Sequence, residues 1–392
     1  MASRSGGPAQ AVELTDEEEQ QSYDRAAQLL DRTLHSFDER DAQGEDGRLH
    51  HSKLDSARWK LIKTQANASL YVERSSSDHR DDSLLLDEWQ NPVVVLTVGT
   101  IRGDLDEIML GVKALDANSI RARTELLTNH PVGCTVLAEL LGPTDVDPFR
   151  FLGVTWLMYE QSWPLKSVVR PRDLLTLTST GTMTRSNGDR IGYEVVQPAR
   201  LHNYSPMPGK ILHGKVMYAA IFKQQEPGVV EVYIPTCIET QSAFLDKMVV
   251  SITWKATVGF WDAPQLAEMK KLQWCIANRK SDGQHKEKQQ QQRSSSSSGK
   301  VCKQCLEKPS MMERLGHVER SPCVLCESPL CSKCRVERTL KAPDEKSGRL
   351  KDHRVSVCQP CLMSVQQLRP ADIAMKSRKQ RARHSLNNDQ ID

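Results

Sequence analysis

Residues 323 to 334 read CVLCESPLCSKC, so this stretch places four cysteines within twelve residues. Thiols this close together form disulfides, bind a metal ion or act as nucleophiles. The amino-terminal sequence MASRSGGPAQAVELTDEEE contains no apolar run that could form the core of a secretory signal, so we expect an intracellular protein. In a reducing cytosol, cysteine pairs are metal ligands more often than structural disulfides. The compartment therefore favours a metal site.

Eight of the eleven cysteines form four CxxC pairs in the carboxyl-terminal part of the chain. The intervals between consecutive pairs are 17, 4 and 23 residues, and the pairs are Cys302/Cys305, Cys323/Cys326, Cys331/Cys334 and Cys358/Cys361. A CxxC turn directs two thiolates to one side of a metal ion, and tetrahedral zinc takes four ligands. Four pairs therefore predict two closed, structural zinc sites. Redox chemistry, the usual rival for one CxxC, does not explain four of them.

The spacing leaves the pairing of these cysteines open. Neighbouring pairs could share one ion, or alternate pairs could interleave, with the first and third on one ion and the second and fourth on the other. The other three cysteines, Cys134, Cys237 and Cys275, each stand alone in an apolar or amphipathic run. We interpret them as ordinary core residues.

The order of the four pairs, with four residues between the second and the third, resembles the FYVE zinc-finger family. That family uses the interleaved, cross-brace arrangement. Carried over by position, the resemblance implies one zinc ion on Cys302, Cys305, Cys331 and Cys334, and a second on Cys323, Cys326, Cys358 and Cys361. A RING finger is the rival cross-brace, but it normally supplies a histidine in the middle ligand pairs, and both middle pairs here are cysteines.

The lipid-reading motifs of the FYVE family are altered in this sequence. The family's basic, histidine-rich run before the third cysteine reads here Glu319-Arg320-Ser321-Pro322, and the tryptophan-containing motif before the first cysteine is replaced by SSSSSGKVC. The arginine near the seventh cysteine appears in shifted form as Arg354. The resemblance therefore implies Arg320 and Arg354 as candidate contacts to a phosphoinositide headgroup. It also implies an endosomal-type membrane, or a protein, as the partner of the finger.

The remainder of the 392-residue chain has room for a second, larger domain. A polar, low-complexity segment, SDGQHKEKQQQQRSSSSSG, separates the two because it lacks apolar side chains that could offset the cost of ordering. The predicted divisions are a disordered amino terminus (1–13), the large domain (14–280), a linker (281–299), the zinc finger (300–368) and a basic, disordered tail (369–392). With 53 basic and 50 acidic residues, the chain has a net charge of only +3, and we expect no nucleic-acid partner.

The large domain is predicted to be α+β. Thr15 and Glu18 fit a capping box, and an apolar stripe of helical period follows them. Short apolar or alternating runs then read as strands, interrupted by one helix that Asp104 can cap. Asn187-Gly188 lies between two such runs and predicts a hairpin. Two helical patterns end the domain, at about 242–258 and 263–278.

The stretch SVVRPRDLLTLTSTGTMTRSNGDRIGYEVVQPAR, residues 167–200, resembles the START family. In that family, a strand with an arginine–aspartate step leads through a hairpin to the next strand, and Arg172-Asp173 match the step. The order of elements extends the resemblance over much of 20–280. START domains followed by FYVE-like fingers are a familiar combination.

The START resemblance implies a helix-grip fold, in which a curved antiparallel sheet surrounds a long carboxyl-terminal helix and leaves a hydrophobic tunnel for one lipid. Burial of an acyl chain stabilises such a complex by about 0.8 kcal/mol per methylene. The alternative is that inward residues fill the core, for example Leu152, Val154, Trp156 and Met158. Alternation shows which face is buried but not whether the space behind it is empty, so no residue of a lipid cavity is assigned.

No catalytic motif stands out in the sequence, which lacks GxSxG, HExxH, a phosphate loop and a dinucleotide fingerprint. His202 and His213 are isolated. The leading hypothesis is therefore a non-enzymatic lipid-binding protein with two structural zinc ions, located in the cytoplasm or on endosomal membranes. The alternative is a protein-interaction scaffold with a filled core and a finger that does not bind phosphoinositide. The basic run KSRKQRARHS at 376–385 could attract anionic lipid, act as a nuclear signal or form a solvated tail.

Overall fold

The computed structural model divides the chain into two compact units, Met1–Pro264 and Gln265–Asp392. The residues that it describes are 12–42, 54–74, 89, 92–125, 131–160, 170–202, 204, 211–239, 243–286, 301–308, 321–343 and 350–377. None of the described helices is both long enough and apolar enough to cross a membrane.

The first unit opens with helix α1, which spans Asp16–Ala42. The predicted capping box is present, because the Glu18 N–H donates to Thr15 Oγ1 at 3.2 Å and the Thr15 N–H donates to the Glu18 carboxylate at 3.0 Å. Acidic residues occupy the first turn, where they interact favourably with the positive end of the helix dipole. Along the helix, Leu29, Leu34 and Phe37 are buried.

A ten-stranded, mainly antiparallel sheet forms the body of the first unit. Its strands are β1 (Trp59–Gln65), β2 (Ala68–Glu73), β3 (Pro92–Arg102), β4 (Gly133–Leu141), β5 (Phe151–Tyr159), β6 (Arg172–Thr184), β7 (Arg190–Pro198), β8 (Leu212–His213), β9 (Val216–Glu226) and β10 (Val229–Glu239). They lie in the order β1-β2-β3-β10-β9-β7-β6-β5-β4, and β8 pairs with β6. The predicted α+β class is confirmed in this mixed architecture.

Four further helical segments belong to the first unit or to its end. They are α2 (Leu105–Val112), α3 (Ala117–Glu125), α4 (Ala243–Val258) and a 3-10 turn (Gly259–Asp262). The predicted helix after Asp104 is α2, although the Asp104 side chain makes no capping hydrogen bond. Helix α3 was not predicted, because its sequence ANSIRARTE has few apolar positions. The predicted Asn187-Gly188 hairpin joins β6 to β7, and Gly188 adopts a φ of 86° there.

The two faces of the sheet are covered by different helices. Phe37 of α1 contacts Tyr233 with ring centroids 5.6 Å apart, and Tyr233 pairs with Val98 on β3. The preceding residue, Thr97, points to the opposite face, where its hydroxyl donates to Thr257 Oγ1 of α4 at 3.0 Å. We call these faces the α1 face and the α4 face.

The inward residues named from the sequence lie on the α1 face. They pack in an apolar cluster with Ala26 of α1, and they are Leu152, Val154, Trp156 and Met158. These residues therefore fill the core beneath α1.

The second unit combines a helix with the cysteine-rich region. Its elements are α5 (Ala263–Lys286, in this unit from Gln265), β11 (Arg335–Pro343), β12 (Leu350–Cys358), α6 (Gln359–Gln366) and a final helix, α7, at 370–377. Strands β11 and β12 form an antiparallel hairpin. Leu272 of α5 is buried in one apolar cluster with Leu330, Leu340, Val357, Leu362 and Val365.

The observed boundaries differ from the predicted ones. The large domain was predicted to end at 280, whereas the division falls after Pro264, because the apolar stripe of α5 packs on the finger. Helix α5 continues to Lys286, past the predicted start of the linker, and α7 occupies the first part of the predicted tail. The described structure begins at residue 12, and the Val12 N–H donates to Leu137 O at 3.0 Å. Residues 1–11, 287–299 and 378–392 lie outside the described residues.

Candidate metal centres and a buried polar cluster

The first two CxxC pairs form turns of the same shape. The Leu306 N–H donates to Cys302 O, and the Glu327 N–H donates to Cys323 O, both at 2.8 Å. Leu306 and Glu327 have φ values of 59° and 56°, in the left-handed region that usually favours glycine. Each turn reverses the chain immediately after its second cysteine, so both thiols of the pair point to one side.

The other two pairs are positioned by the β11–β12 hairpin. Cys334 comes directly before β11, and Cys358 ends β12, so the hairpin joins one cysteine group to the other. The strands align Arg335 with Cys358. Cys358 is also the N-cap of α6, and Cys361 lies in the first turn of that helix. The hairpin brings the end of β12 back beside the start of β11. Cysteines that lie far apart in the sequence therefore come close together.

The eight thiols gather into two groups of four, and within each group the Sγ atoms lie within 4.8 Å of one another. One group is Cys302, Cys305, Cys331 and Cys334, and the other is Cys323, Cys326, Cys358 and Cys361. This is the interleaved arrangement that the FYVE resemblance implied. It joins the first pair to the third and the second to the fourth.

The geometry of both groups fits a tetrahedral metal ion. Zinc–sulfur bonds of about 2.3 Å place neighbouring sulfurs about 3.8 Å apart in a tetrahedron. The Sγ atoms of Cys305 and Cys331 are 3.7 Å apart, and those of Cys326 and Cys358 are 3.8 Å apart. These separations exceed a disulfide bond, for which the sulfurs lie about 2.05 Å apart. Both groups are therefore positioned to hold metal ions.

Hydrogen bonds from the turns favour thiolates at two of these positions. Burial acts to raise the pKa of the Cys302 thiol, but N–H groups of Cys305, Cys331 and Gln304 outweigh it and lower the pKa to about 6. For Cys326, burial is likewise outweighed, chiefly by bonds from the side chain and backbone of Ser328, and the pKa is again about 6. Metal ions bind the deprotonated thiolate, so the turns prepare ligands as well as position them.

Of the two residues that the FYVE resemblance implied as contacts to a lipid headgroup, only one is among the described residues. Arg354 lies on β12 and is exposed. Arg320 lies outside the described residues, so its position relative to Arg354 stays a prediction. Three basic residues of the neighbouring strand are engaged in ion pairs, which are Arg335–Glu337, Arg338–Glu268 and Lys341–Asp352.

A buried ion pair that the sequence reasoning missed lies on the α4 face of the large unit. Arg123 of α3 binds both carboxylate oxygens of Glu194 on β7, with Nη2 2.7 Å from Oε1. Tyr218 of β9 donates its hydroxyl to Glu194, and the Arg123 guanidinium lies 4.7 Å from the ring centroid of Phe260. Glu194 is 1% exposed. In the sequence, this site was indicated by one glutamate inside the mainly apolar strand RIGYEVVQP.

Threonines surround this ion pair on the same face of the sheet. Strand β6 carries a threonine at every second position from Thr176 to Thr182, and Thr180 pairs with Glu194. On the same face of the sheet, Tyr218 of β9 lies opposite Thr236 of β10. The Thr236 hydroxyl is buried and has no hydrogen-bond partner among the described residues. The α4 face therefore carries a polar cluster around Glu194, beside the apolar cluster of Ala68, Leu70, Val95 and Trp254.

Several of these polar side chains keep accessible surface although protein surrounds them. Tyr159 and Tyr218 are only half-buried by accessible area. Nevertheless, burial is the main influence on both hydroxyls, and it raises the pKa of Tyr159 to about 12 and that of Tyr218 well above its ordinary value. Arg123 keeps 22% of its side-chain surface exposed.

A second polar cluster lies around Asp173, which is 1% exposed. Its carboxylate accepts hydrogen bonds from Tyr204 at 3.0 Å and from Trp156 at 3.4 Å, and it lies 3.1 Å from His213 Nδ1. These partners hold the pKa of Asp173 below its usual range, although burial alone would raise it. Arg172 precedes Asp173 on β6, where alternating side chains point to opposite faces of the sheet, so the arginine–aspartate step named from the sequence does not form a buried pair.

The Asp173 cluster borders an open pocket of about 710 Å³ beside the first turn of α1. His202, which looked isolated in the sequence, lines this pocket and places Nδ1 2.8 Å from Glu18 Oε1. His213 lines the same pocket. Both histidines are therefore held by carboxylates, one from α1 and one from β6.

No family model matches the sequence, and no curated protein matches it. Among solved structures, human StAR-related lipid transfer protein 5 is 14% identical, with a TM-score of 0.41, and the match covers 64% of this chain and 97% of that one. Human STARD10 is 12% identical with a TM-score of 0.36, over 54% of this chain and 74% of that one. A STAR-related lipid transfer protein from Xanthomonas axonopodis is 12% identical with a TM-score of 0.37, over 53% and 99%.

Proposed function

We propose that this protein is a non-enzymatic lipid carrier or lipid-dependent adaptor. Its large, START-like unit binds one lipid against the α4 face, and its FYVE-like unit is a zinc-dependent module that engages an endosomal-type membrane or a protein. The observation that carries the proposal is the α4 face itself. The polar groups of Arg123, Glu194 and Tyr218 lie on it, and the buried Thr236 hydroxyl has no hydrogen-bond partner among the described residues.

The polarity of the α4 face supports a ligand with an apolar body and a polar end. A buried hydroxyl without a hydrogen bond costs about 1–3 kcal/mol, so a core that serves packing alone has no use for one. Glu194 is neutralised by Arg123 and Tyr218, so the cluster offers hydrogen bonds without excess charge. We infer that it recognises the polar end of a lipid while the surrounding aliphatic side chains take the chain.

Zinc is the metal that we assign to both cysteine groups. All-cysteine tetrahedral sites are typical of structural zinc, and they leave no ligand position open for water. In small zinc domains, metal binding contributes about 10–16 kcal/mol to folding. Zinc would therefore supply most of the stability of the finger and no catalysis.

A protein-interaction scaffold is the second candidate function. What favours it is the engagement of Arg335, Arg338 and Lys341 of β11 in ion pairs, because paired basic groups are less available to a lipid phosphate. In that case the finger binds a protein, and the α4 face holds no ligand.

Native mass spectrometry of the intact, purified chain tests the proposal in one spectrum. We expect two zinc ions and one lipid adduct per chain. Two zinc ions without lipid, after incubation with vesicles of mixed composition, would favour the scaffold instead.

Two threonine-to-valine substitutions on the α4 face test where the lipid binds. Thr236→Val removes the unpartnered hydroxyl, and we expect it to lower lipid occupancy without loss of stability. Thr97→Val is the matched control on the same face, because its hydroxyl already bonds Thr257. It should cost about 1 kcal/mol of stability and leave lipid occupancy unchanged. If both variants bound lipid to the same extent, Thr236 would not be part of the lipid site.

A further inference from the structure

The edge strand β1 exposes two large apolar side chains next to each other. Leu61 is 53% exposed and Ile62 is 45% exposed. Every residue of the strand after Trp59 is exposed, although β1 pairs along its length with β2. Exposed apolar side chains on a sheet edge are an aggregation hazard unless a binding partner covers them.

The same strand is built to resist pairing with another strand. Its register with β2 shifts between Leu61 and Lys63, so Ile62 is bulged out of the regular ladder. Lys60 and Lys63 flank the two apolar residues. Bulges and lysines are features that keep an edge strand from adding a further strand. A second copy of this hairpin would also bring lysine against lysine.

The described segment that contains β1 carries a net positive charge. Residues 54–74 contain four basic residues, Arg58, Lys60, Lys63 and Arg74, and two acidic residues, Asp55 and Glu73, for a net charge of +2. Both acids are engaged locally, since Glu73 accepts from Arg58 at 2.8 Å and Asp55 accepts from the Ala57 N–H at 2.8 Å.

Two tryptophans contact basic residues of this segment, and Trp59 is the one that belongs to the hairpin, whereas Trp254 is buried. Arg58 lies 5.3 Å from the ring centroid of Trp59, and Lys63 lies 5.4 Å from that of Trp254 on α4. Tryptophan is favoured at the boundary between lipid headgroups and acyl chains, where lysines meet phosphates. Two exposed apolar residues, one tryptophan and two lysines on one hairpin match the chemistry of an anionic bilayer surface.

We propose that the β1–β2 hairpin (Trp59–Glu73) docks the large unit on an anionic membrane, with Leu61 and Ile62 entering the headgroup boundary and Lys60 and Lys63 contacting lipid phosphates. This contact does not depend on a lipid site at the α4 face, so each proposal can fail without the other.

Hydrogen exchange of the intact, zinc-loaded chain tests the docking at the hairpin itself. The probe is phosphatidylcholine vesicles with and without phosphatidylserine. We expect amides of residues 59–65 to exchange more slowly only with the phosphatidylserine-containing vesicles, and high salt should abolish the effect. Vesicle binding with unchanged exchange in β1 would place the contact elsewhere and overturn the proposal. Slower exchange that grows with protein concentration alone would show pairing between copies and would also overturn it.

Two double variants test the apolar and the electrostatic parts of the membrane contact separately. Leu61→Ser with Ile62→Ser should abolish the slowing in β1, and Lys60→Gln with Lys63→Gln should weaken vesicle affinity of the hairpin by about 30-fold, at about 1 kcal/mol per basic residue. The matched control is Val132→Ser with Val146→Ser, which removes two apolar side chains of 48% and 95% exposure elsewhere in the same unit. Equal effects of the control and the Leu61/Ile62 variant would contradict a specific docking surface.

Discussion

The large unit and the finger unit reach a folded state by different means. The large unit has apolar clusters on both faces of a ten-stranded sheet, and long-range strand pairs hold it together. The finger unit has one two-stranded hairpin and one apolar cluster, to which α5 contributes. A small unit buries too little apolar surface to be stable alone, and metal ions commonly compensate for this. The comparison indicates that the two units respond to different perturbations.

Removal of a thiol ligand should have the largest effect. Cys323→Ser takes one ligand from a group of four, so we expect loss of one metal ion and unfolding of 301–377, while the sheet unit stays folded. Metal counting by mass spectrometry together with hydrogen exchange measures both. Cys275→Ser, at a cysteine of the same unit outside both groups, is the control and should retain both ions. If the finger unit kept its protection from hydrogen exchange after complete removal of the metal ions, its stability would not depend on metal, and the proposed difference between the two units would be wrong.

Breaking the buried ion pair should destabilise the large unit alone. Glu194→Gln leaves the Arg123 guanidinium buried without its counter-charge, and we expect a loss of about 3–5 kcal/mol in the free energy of unfolding. Arg190→Gln is the control, because the Arg190–Asp106 pair is 45% and 32% exposed and should contribute about 0–1 kcal/mol. Urea denaturation of the sheet unit measures both variants. Similar losses in the two would show that the Glu194 site is not enclosed.

The boundary between the units is tested by truncation of an α5 side chain. Leu272→Ala should cost the finger unit about 2–5 kcal/mol, since Leu272 is 1% exposed in the finger's apolar cluster. The control is Leu29→Ala in α1, which should weaken only the sheet unit. Regional hydrogen exchange distinguishes the two outcomes. If Leu272→Ala loosened the sheet unit instead, the predicted boundary at 280 would be the better one.

Acidification should produce the smallest effect, at the first turn of α1. The Thr15 N–H, with help from His202 and against partial burial, lowers the pKa of Glu18 from 4.5 to about 2. Because the folded pKa lies below the unfolded one, this carboxylate stabilises the fold above about pH 4.5, and the contribution is lost as the pH falls towards 2. We therefore expect Glu18→Gln to be destabilising near neutral pH and nearly neutral at low pH.

Chemical denaturation at several pH values measures this difference. Glu17→Gln is the matched control, because its carboxylate accepts a bond from Gln21 on the same helix. A pH-independent difference between wild type and Glu18→Gln would mean that the carboxylate is not held by Thr15 and His202.

Local signals in the sequence predicted several elements well. The Thr15/Glu18 capping box and the Asn187-Gly188 turn depend on neighbouring residues, so the sequence contains the whole signal. Helix α3 was missed because its register is stabilised by a distant partner, the Glu194 carboxylate that binds Arg123. The lone histidines were read as isolated for the same reason, since Glu18 and Asp173 lie far from them in the chain.

The sequence by itself determined that eight cysteines form four pairs with the spacing of two metal sites, and that a mixed domain precedes them. Only the tertiary structure decided that α5 completes the finger's core and that a buried ion pair lies on the α4 face of the sheet. The physical reason is the range of the interactions. A CxxC turn or a capping box closes within a few residues, whereas helix packing and the meeting of Arg123 with Glu194 depend on how distant segments fold together.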